Sequence, residues 1–314
     1  MNNNIRTDLA LEMHELLKQE TASNNYIEGV EIFNQEDNDI KITRVKILTE
    51  AGEKQIGKPI GNYITIETPK IQEQDPEIKK RLCDRLSQEL KPLIHVGDNE
   101  NILIIGLGNK DITPDSLGPL VVSKLLVTRH LLEYMPDSID EGVRPVCAVA
   151  TGVLGTTGIE TFEIVQGIVD KVKPKLVIVI DALAARNVSR IGTTIQIADT
   201  GISPGSGVGN KRKEISKNTL NIPVISIGVP TVIDKNTMVS DLVELVLDKF
   251  SENIDANKRQ QILEQTLNNQ NNNLMVTPKE IDSLIQRVSK IIANGLNLSL
   301  HEGITLEYVD KYIS

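Results

Sequence analysis

Metal and thiol chemistry are the first things this sequence lacks residues for. It has two cysteines, Cys83 and Cys147, in no CxxC pair, and four histidines, His14, His95, His130 and His301, with no two at HxxxH spacing and no HExxH. A closed cysteine–histidine zinc site is therefore excluded, and no metal ion or other cofactor is expected. The cysteines read as free thiols packed in the protein of a reducing compartment. His14 and His130, both in helical segments, read as partly exposed structural residues. No run of about 18 apolar residues occurs, and the opening MNNNIRTDLALEMHELL has no apolar core for a signal peptide. A cytoplasmic chain with no membrane partner is expected. Basic charge is scarce as well: 34 Lys and Arg against 43 Asp and Glu give a formal charge of −9, which speaks against broad nucleic-acid binding.

Familiar nucleotide and nucleophile motifs are missing too. GLGNKD (106–111) has the first two glycines of GxGxxG but Asp111 in place of the third, and in GSGVGNKRKE (205–214) Lys211 comes one position too late for GxxxxGK. Neither spacing lets backbone amides cradle a pyrophosphate. There is no GxSxG elbow, and Cys147 sits inside an apolar strand, where inert packing is the default.

What is present is a change of texture along the chain. Leu9 to Glu20 has helical apolar spacing at Leu9, Met13, Leu16 and Leu17. EGVEIFNQ, IKITRVKILT and NYITIETP alternate as antiparallel strands with one wet face, and Asp75–Pro76 opens an amphipathic helix. From residue 101 onward, apolar strands alternate with helices: NILIIGLGN, then LGPLVVSKLLVTRHLL as one helix, VCAVATGV, TGIETFEIVQGIVDKV, KLVIVIDALAA, GTTIQIAD and IPVISIGVP. This order predicts an α/β fold, a mostly parallel sheet covered by helices on both faces, with an added antiparallel region from the N-terminal third. A polar run at 268–273 reads as a solvated loop, and Thr277, Pro278 and Glu280 as the capping box of a last long helix.

Carboxylates fall in informative places. Asp115 lies in the loop after NILII, and Asp181 is expected to end the strand KLVIVI. In an open parallel sheet, loops at the carboxyl ends of strands meet in one crevice, where ligands bind. Two aspartates there would repel, raising one pKa and leaving the other ionised, which supplies an acid and a base for activating water. Asp115 or Asp181 would equally serve as a helix N-cap, and Asp199 in QIADTG competes for the same role. Position alone does not choose between them.

Several blocks occur together in order: RTDLALE, GLGNKDITPDSLGP, GVLGTTGIET, a long block at 177–216 beginning VIVIDALAAR, IPVISIGVPTVID and NLMVTPKEID. In these blocks the chain resembles the germination proteases of spore-forming bacteria, from about residue 6 to about 305. One departure is visible, LHEGI with Glu302 and Gly303 where LHPAI is usual.

The resemblance implies an endopeptidase that begins the degradation of small acid-soluble spore proteins in the spore core, made as a self-processing zymogen and assembled as a homotetramer. Its catalytic aspartates, in the TPDxLGP loop and at the end of the VIDALAAR strand, correspond to Asp115 and Asp181. It also implies a fold similar to the hydrogenase maturation proteases, whose GxGN strand-loop is similar to 106–109. The family's substrates are cut after an acidic residue in Thr-Glu followed by Ile-Ala-Ser-Glu, which Thr7 to Glu12 match, so cleavage is expected between Asp8 and Leu9. Residues 1–8 are then a propeptide and 9–314 a single α/β peptidase domain, with a strand-rich part (9–100), a core carrying the motifs (101–250) and C-terminal helices (251–314). Thr7 or Asp8 would at the same time cap the first helix. Two rival readings remain: a metal-dependent hydrolase with Asp115 and Asp181 as oxygen ligands and Asp199 as a third candidate, and a non-catalytic α/β module whose crevice holds a small ligand.

Overall fold

Unbroken apolar runs such as ILII (102–105) and LVIVI (176–180) are satisfied only between two covering layers. A computed structural model describes residues 7–20, 27–73, 75–206, 209, 212–250, 256–268 and 274–313. Residues 1–6 of the expected propeptide, Lys211 and the polar run after Asn268 lie outside the described residues.

In chain order, α1 (Ala10–Glu20), β1 (Val30–Asp37), β2 (Ile40–Ile47), α2 (Glu50–Ile56), β3 (Gly61–Glu67) and α3 (Pro76–Leu90) form the first third. There follow β4 (Ile102–Leu107), α4 (Leu117–Val122), α5 (Arg129–Tyr134), β5 (Val146–Gly152), α6 (Leu154–Thr157), α7 (Thr161–Val172), β6 (Leu176–Ala185) and β7 (Thr194–Ala198). The chain closes with α8 (Lys217–Leu220), β8 (Val224–Asp234), α9 (Lys235–Phe250), α10 (Ala256–Asn268), β9 (Met275–Val276), α11 (Ile281–Leu300) and α12 (Leu306–Ile313).

The strands join one sheet in the order β1-β2-β3-β7-β8-β6-β4-β5, with β9 on the end of β8. Strands β5, β4, β6 and β8 are parallel, while β1, β2, β3 and β7 extend the sheet by antiparallel pairing. The N-terminal strands are thus part of the same sheet. β7 is the joint: no long helix separates it from β6, so it returns antiparallel to β8 and accepts β3 on its other edge.

Alternation sorts the side chains. Ile102, Ile104, Ile178, Ile180, Ile225 and Ile227 face α3, α4 and α11. On the opposite face, Leu103, Ile105, Val177 and Val179 meet Phe162, Val165 and Val169 of α7. Farther along that face, Val45, Ile47 and Tyr63 meet Ala10 of α1 and Ile56 of α2. Gly106, inside β4 rather than in a turn, and Gly118 of α4 approach so closely that a Cβ on either would strike the other's segment. Gly108 is the turn glycine, at φ +107.

Three expectations need correction. The stretch LGPLVVSKLLVTRHLL is two short helices, because the segment between them is drawn onto β5: Thr128 N–H donates to Val146 O at 2.9 Å, and Val146 N–H donates to Thr128 Oγ1 at 3.0 Å. Thr277 does not cap α11, whose N-cap is Glu280; with Met275–Val276 paired to β8, the Thr277 hydroxyl donates instead to Thr231 O. His14 is buried rather than partly exposed, while His130 is exposed as a surface residue. Cys83 is buried and Cys147, on the edge strand, only half so.

His301 is the buried histidine with consequences. Its Nδ1 accepts Arg144 N–H at 3.2 Å. Burial, joined by the Arg144 charge, lowers its pKa to about 4, against the opposing effect of a hydrogen bond from the ring to the Leu126 backbone carbonyl. The unfolded chain therefore takes up this proton first, and stability is lost as pH falls from about 6.5 toward 4, by up to about 1.4 kcal/mol per pH unit. Chemical denaturation at a series of pH values should show that slope in the wild type and a shallower one in His301→Gln. Equal slopes would mean that His301 takes up its proton alike in the folded and unfolded states.

Candidate active site

Asp181 does not end β6; the strand runs on to Ala185. It reaches the rim for a different reason: β4 pairs with β6 only as far as Ile180, whereas β8 continues alongside to Ala185. Alternation puts Asp181 on the face of Val177 and Val179, in one cross-strand row with Gly228 of β8 and Gln196 of β7. The carboxyl is buried, 7% exposed, and its Oδ1 accepts Ala182 N–H at 2.9 Å. Burial first, then the charges of Asp115 and Asp8, push its pKa well above the ordinary carboxylate value.

Asp115 is carried by a short 3₁₀ turn, Thr113–Asp115, packed against β6 and β8. Its Oδ2 accepts the Asn109 N–H at 2.7 Å. Burial raises this pKa too, while the Asn109 hydrogen bond favours the charged form. The two carboxyls therefore stand in unlike surroundings: Asp181 is desolvated among like charges and Asp115 is half-buried on a backbone donor.

Between the α7 layer and the α1–α2 layer lies a cavity of about 500 Å³. Its floor is the sheet face of Asp181, Leu183, Gln196, Ala198, Ser226 and Gly228, and Lys58 and Ser206 are among its walls. Asp115 does not line it, contrary to the expectation of one shared crevice; its turn comes to Asp181 from the rim beyond the end of β4.

Asp8 does line the cavity. Its N–H donates to Ala184 O at 3.1 Å, its Oδ2 accepts Ala184 N–H at 2.9 Å, and its Oδ1 accepts the Ser206 hydroxyl at 2.7 Å. Its carbonyl accepts Gln196 Nε2 at 3.2 Å. Lys58 sits in the field of Asp8 and Glu12; burial lowers its pKa and those two charges work against the shift. Leu9 is fully buried, and Thr7 Oγ1 accepts Leu9 N–H at 3.0 Å, a capping role for Thr7. Glu12 accepts the N–H groups of Arg186 and Asn187, and Arg190 joins it to Glu15 and Glu67.

The structure thus brings Asp8, Leu9, Asp115 and Asp181 into one neighbourhood and leaves Asp199 out of it. Asp199 accepts Asn62 N–H and Asn62 Nδ2, at 2.8 and 2.5 Å, tying β3 to the end of β7. Arg186 pairs with Asp241, and Arg212 with Glu160. Among the described residues, no three His, Cys, Asp or Glu side chains are grouped to hold a metal ion, and no helix is long and apolar enough to cross a membrane. Sequence reasoning missed Gln196, Ser206 and Lys58. The polar residue inside TIQIA was the available signal for Gln196, since a buried strand carries one only when it has partners.

A family model described as germination protease matches residues 10–261 and 251–313. Germination proteases of Clostridium tetani and of Clostridium perfringens strain 13 are 44% and 47% identical, each alignment covering 99% of both chains. That of Geobacillus sp. strain WCH70 is 43% identical, over 98% of this chain and 96% of the relative. A nickel–iron hydrogenase maturation protease from Thermococcus kodakarensis is similar over 66% of this chain and 98% of its own, at 19% identity and a TM-score of 0.35.

The burial of Asp181 has a thermodynamic signature. A carboxyl whose pKa is raised by folding binds its proton more tightly in the native state, so stability falls as pH rises from about 4 through the native value. Asp181→Asn removes that loss and keeps an acceptor for Ala182 N–H. The variant should melt at a higher temperature than the wild type at pH 8, with the gain vanishing near pH 4. A lower melting temperature at pH 8 would show that the carboxylate is stabilised where it stands.

Proposed function

Because this chain belongs to the germination protease family, and is an endopeptidase of germination, we propose that Asp115 and Asp181 together activate water against the bond it cuts. One observation carries the reading: the two carboxyls are electrostatically coupled, and burial raises both pKa values but that of Asp181 farther, while the Asn109 N–H favours the charged form of Asp115, so Asp115 ionises first. Asp115, ionised, takes a proton from water as the hydroxyl adds to the carbonyl carbon and an electron pair moves to the carbonyl oxygen. When that pair returns, the carbon–nitrogen bond breaks and Asp181 gives its proton to the leaving nitrogen. Asp115 is then protonated and Asp181 ionised, and transfer of one proton between them restores the pair.

The first bond cut is the chain's own, between Asp8 and Leu9. Support comes from Asp8 lining the same cavity as Asp181, its charge felt there. A tethered segment has a high effective concentration, so self-cleavage is favoured. Residues 1–8 are then a propeptide and 9–314 the peptidase domain. In trans the substrates are small acid-soluble spore proteins in the spore core, and the working form is a homotetramer; the sequence resemblance supports these points.

Asp115→Asn and Asp181→Asn should each lower cleavage by at least about 10²–10⁴-fold without unfolding the protein, with the double variant little worse. N-terminal sequencing of the matured wild type should begin at Leu9, and both variants should stay unprocessed. Asp199→Asn is the control: activity kept, stability reduced by about 1–3 kcal/mol for the disturbed hydrogen bonds. Near-normal cleavage by either single variant removes that aspartate from the chemistry.

The pH profile follows from the same assignment. Rate should rise as Asp115 ionises, above the usual 3.8, and fall as Asp181 loses its proton at higher pH. A bell-shaped kcat/KM is expected, its alkaline limb absent in Asp181→Asn residual activity. A flat profile across both limbs would remove the acid–base pair.

A further inference from the structure

The proposed chemistry leaves charge on the carbonyl oxygen of the residue before the cut, and neither aspartate is assigned to hold it. We infer that Gln196 is a further catalytic residue, its side-chain amide spanning the bond to be cut and donating to that oxygen; this rests on the reading that the bond is Asp8–Leu9. Gln196 Nε2 donates to Asp8 O at 3.2 Å, and Gln196 Oε1 accepts Ala10 N–H at 2.8 Å. The two contacts fix which way the amide points: the oxygen must face the Ala10 donor, so the NH₂ group faces the Asp8 carbonyl.

The position is set by the sheet. Asp181, Gly228, Gln196 and Thr65 form one cross-strand row on one face. Neighbouring strands lie about 4.8 Å apart, so the backbones of Asp181 and Gln196 are about 10 Å apart, with Gly228 between them. The acid and the amide flank Gly228 on the face that forms the cavity floor. Asp8 is held on its other sides by both backbone groups of Ala184 and by the Ser206 hydroxyl, so its carbonyl has no freedom to turn from Gln196.

The ground-state contact of 3.2 Å is at the long end of an N–H···O bond. A donor that tightens as the carbonyl oxygen gains charge stabilises the transition state more than the substrate, which is how it raises rate. Removing one such donor typically costs about 10²–10³-fold in kcat. The Ala10 contact, by contrast, is made equally before and during reaction and contributes binding.

The two contacts separate by substitution. Gln196→Glu keeps an acceptor for Ala10 N–H and replaces the donor by an oxygen; Gln196→Met, neutral and of similar length, loses both. The test uses the full-length chain, whose self-processing is followed as a first-order rate at pH 8 beside its melting curve. Gln196→Glu, which keeps the Ala10 contact, and Gln196→Met, which loses it, should both process at least 100-fold more slowly than the wild type while still melting cooperatively. If Gln196→Met alone is slow, the Ala10 contact is what matters and Gln196 is not the donor. If both variants keep the rate within tenfold of wild type while cutting after Asp8, Gln196 is not the donor and the cleavage assignment stands. If the wild type cuts at another bond, the cleavage assignment fails and takes this role of Gln196 with it.

Discussion

The overhang of β6 beyond β4 is the constraint on which the rim of this sheet depends. Up to Ile180 the strand is paired on both edges; from Asp181 only β8 remains. A bare strand edge at a buried position must find hydrogen-bond partners. Here side chains supply them: Asp181 takes the Ala182 N–H, Asp8 the Ala184 N–H, and Glu12 those of Arg186 and Asn187. Three carboxyls are therefore gathered along one edge by the accounting of backbone amides. The N-terminal segment is drawn there because it carries two of them.

Gathering acids in a poorly hydrated place raises their mutual repulsion. The relief is unevenly distributed. Glu12 has Arg190, which is itself shared with Glu15 and Glu67 and is held more firmly protonated by them despite its burial. Asp8 has Ser206, Ala184 and the field of Lys58, and Asp115 has Asn109. Asp181 has one backbone donor and otherwise feels like charge, from Asp115 and Asp8. The pKa of Asp181 is raised for that reason: burial comes first, the like charges add to it, and a single backbone donor offsets only part.

Much of this was legible in the sequence. Unbroken runs such as LVIVI announced a doubly covered parallel sheet, and alternation announced the antiparallel strands. What was not legible depends on how long neighbouring strands are. KLVIVID reads as a strand ending on a charge, and only the earlier stop of β4 shows why a mid-strand Asp181 sits at the rim. The cavity was equally hidden, because it is a gap between two helical covers and no local pattern records a gap. The broken helix after Gly118 failed for a related reason: Thr128 satisfies the edge of β5, and a long-range hydrogen bond overrode local propensity.

The two sides of the Asp8–Leu9 bond are held by different forces, which bears on what a cut there would do. On the far side, Leu9 and Ala10 are fully buried and Leu11 nearly so, and Glu12 and Glu15 bind Arg190. Burial of a leucine side chain contributes about 1.5–3 kcal/mol, and none of it depends on the peptide bond before it. On the near side, Asp8 is held in the cavity by hydrogen bonds to Ala184, Ser206 and Gln196. Cleavage would add a carboxylate at Asp8 beside an Asp181 that already feels its charge, and would end the covalent tether to Leu9. Like-charge repulsion then favours departure of the short piece, while α1 stays packed on β2 and β3. The groups around the Asp8 carboxylate are a serine hydroxyl, a strand-edge N–H and the field of a half-buried lysine, donors of the kind any carboxylate takes.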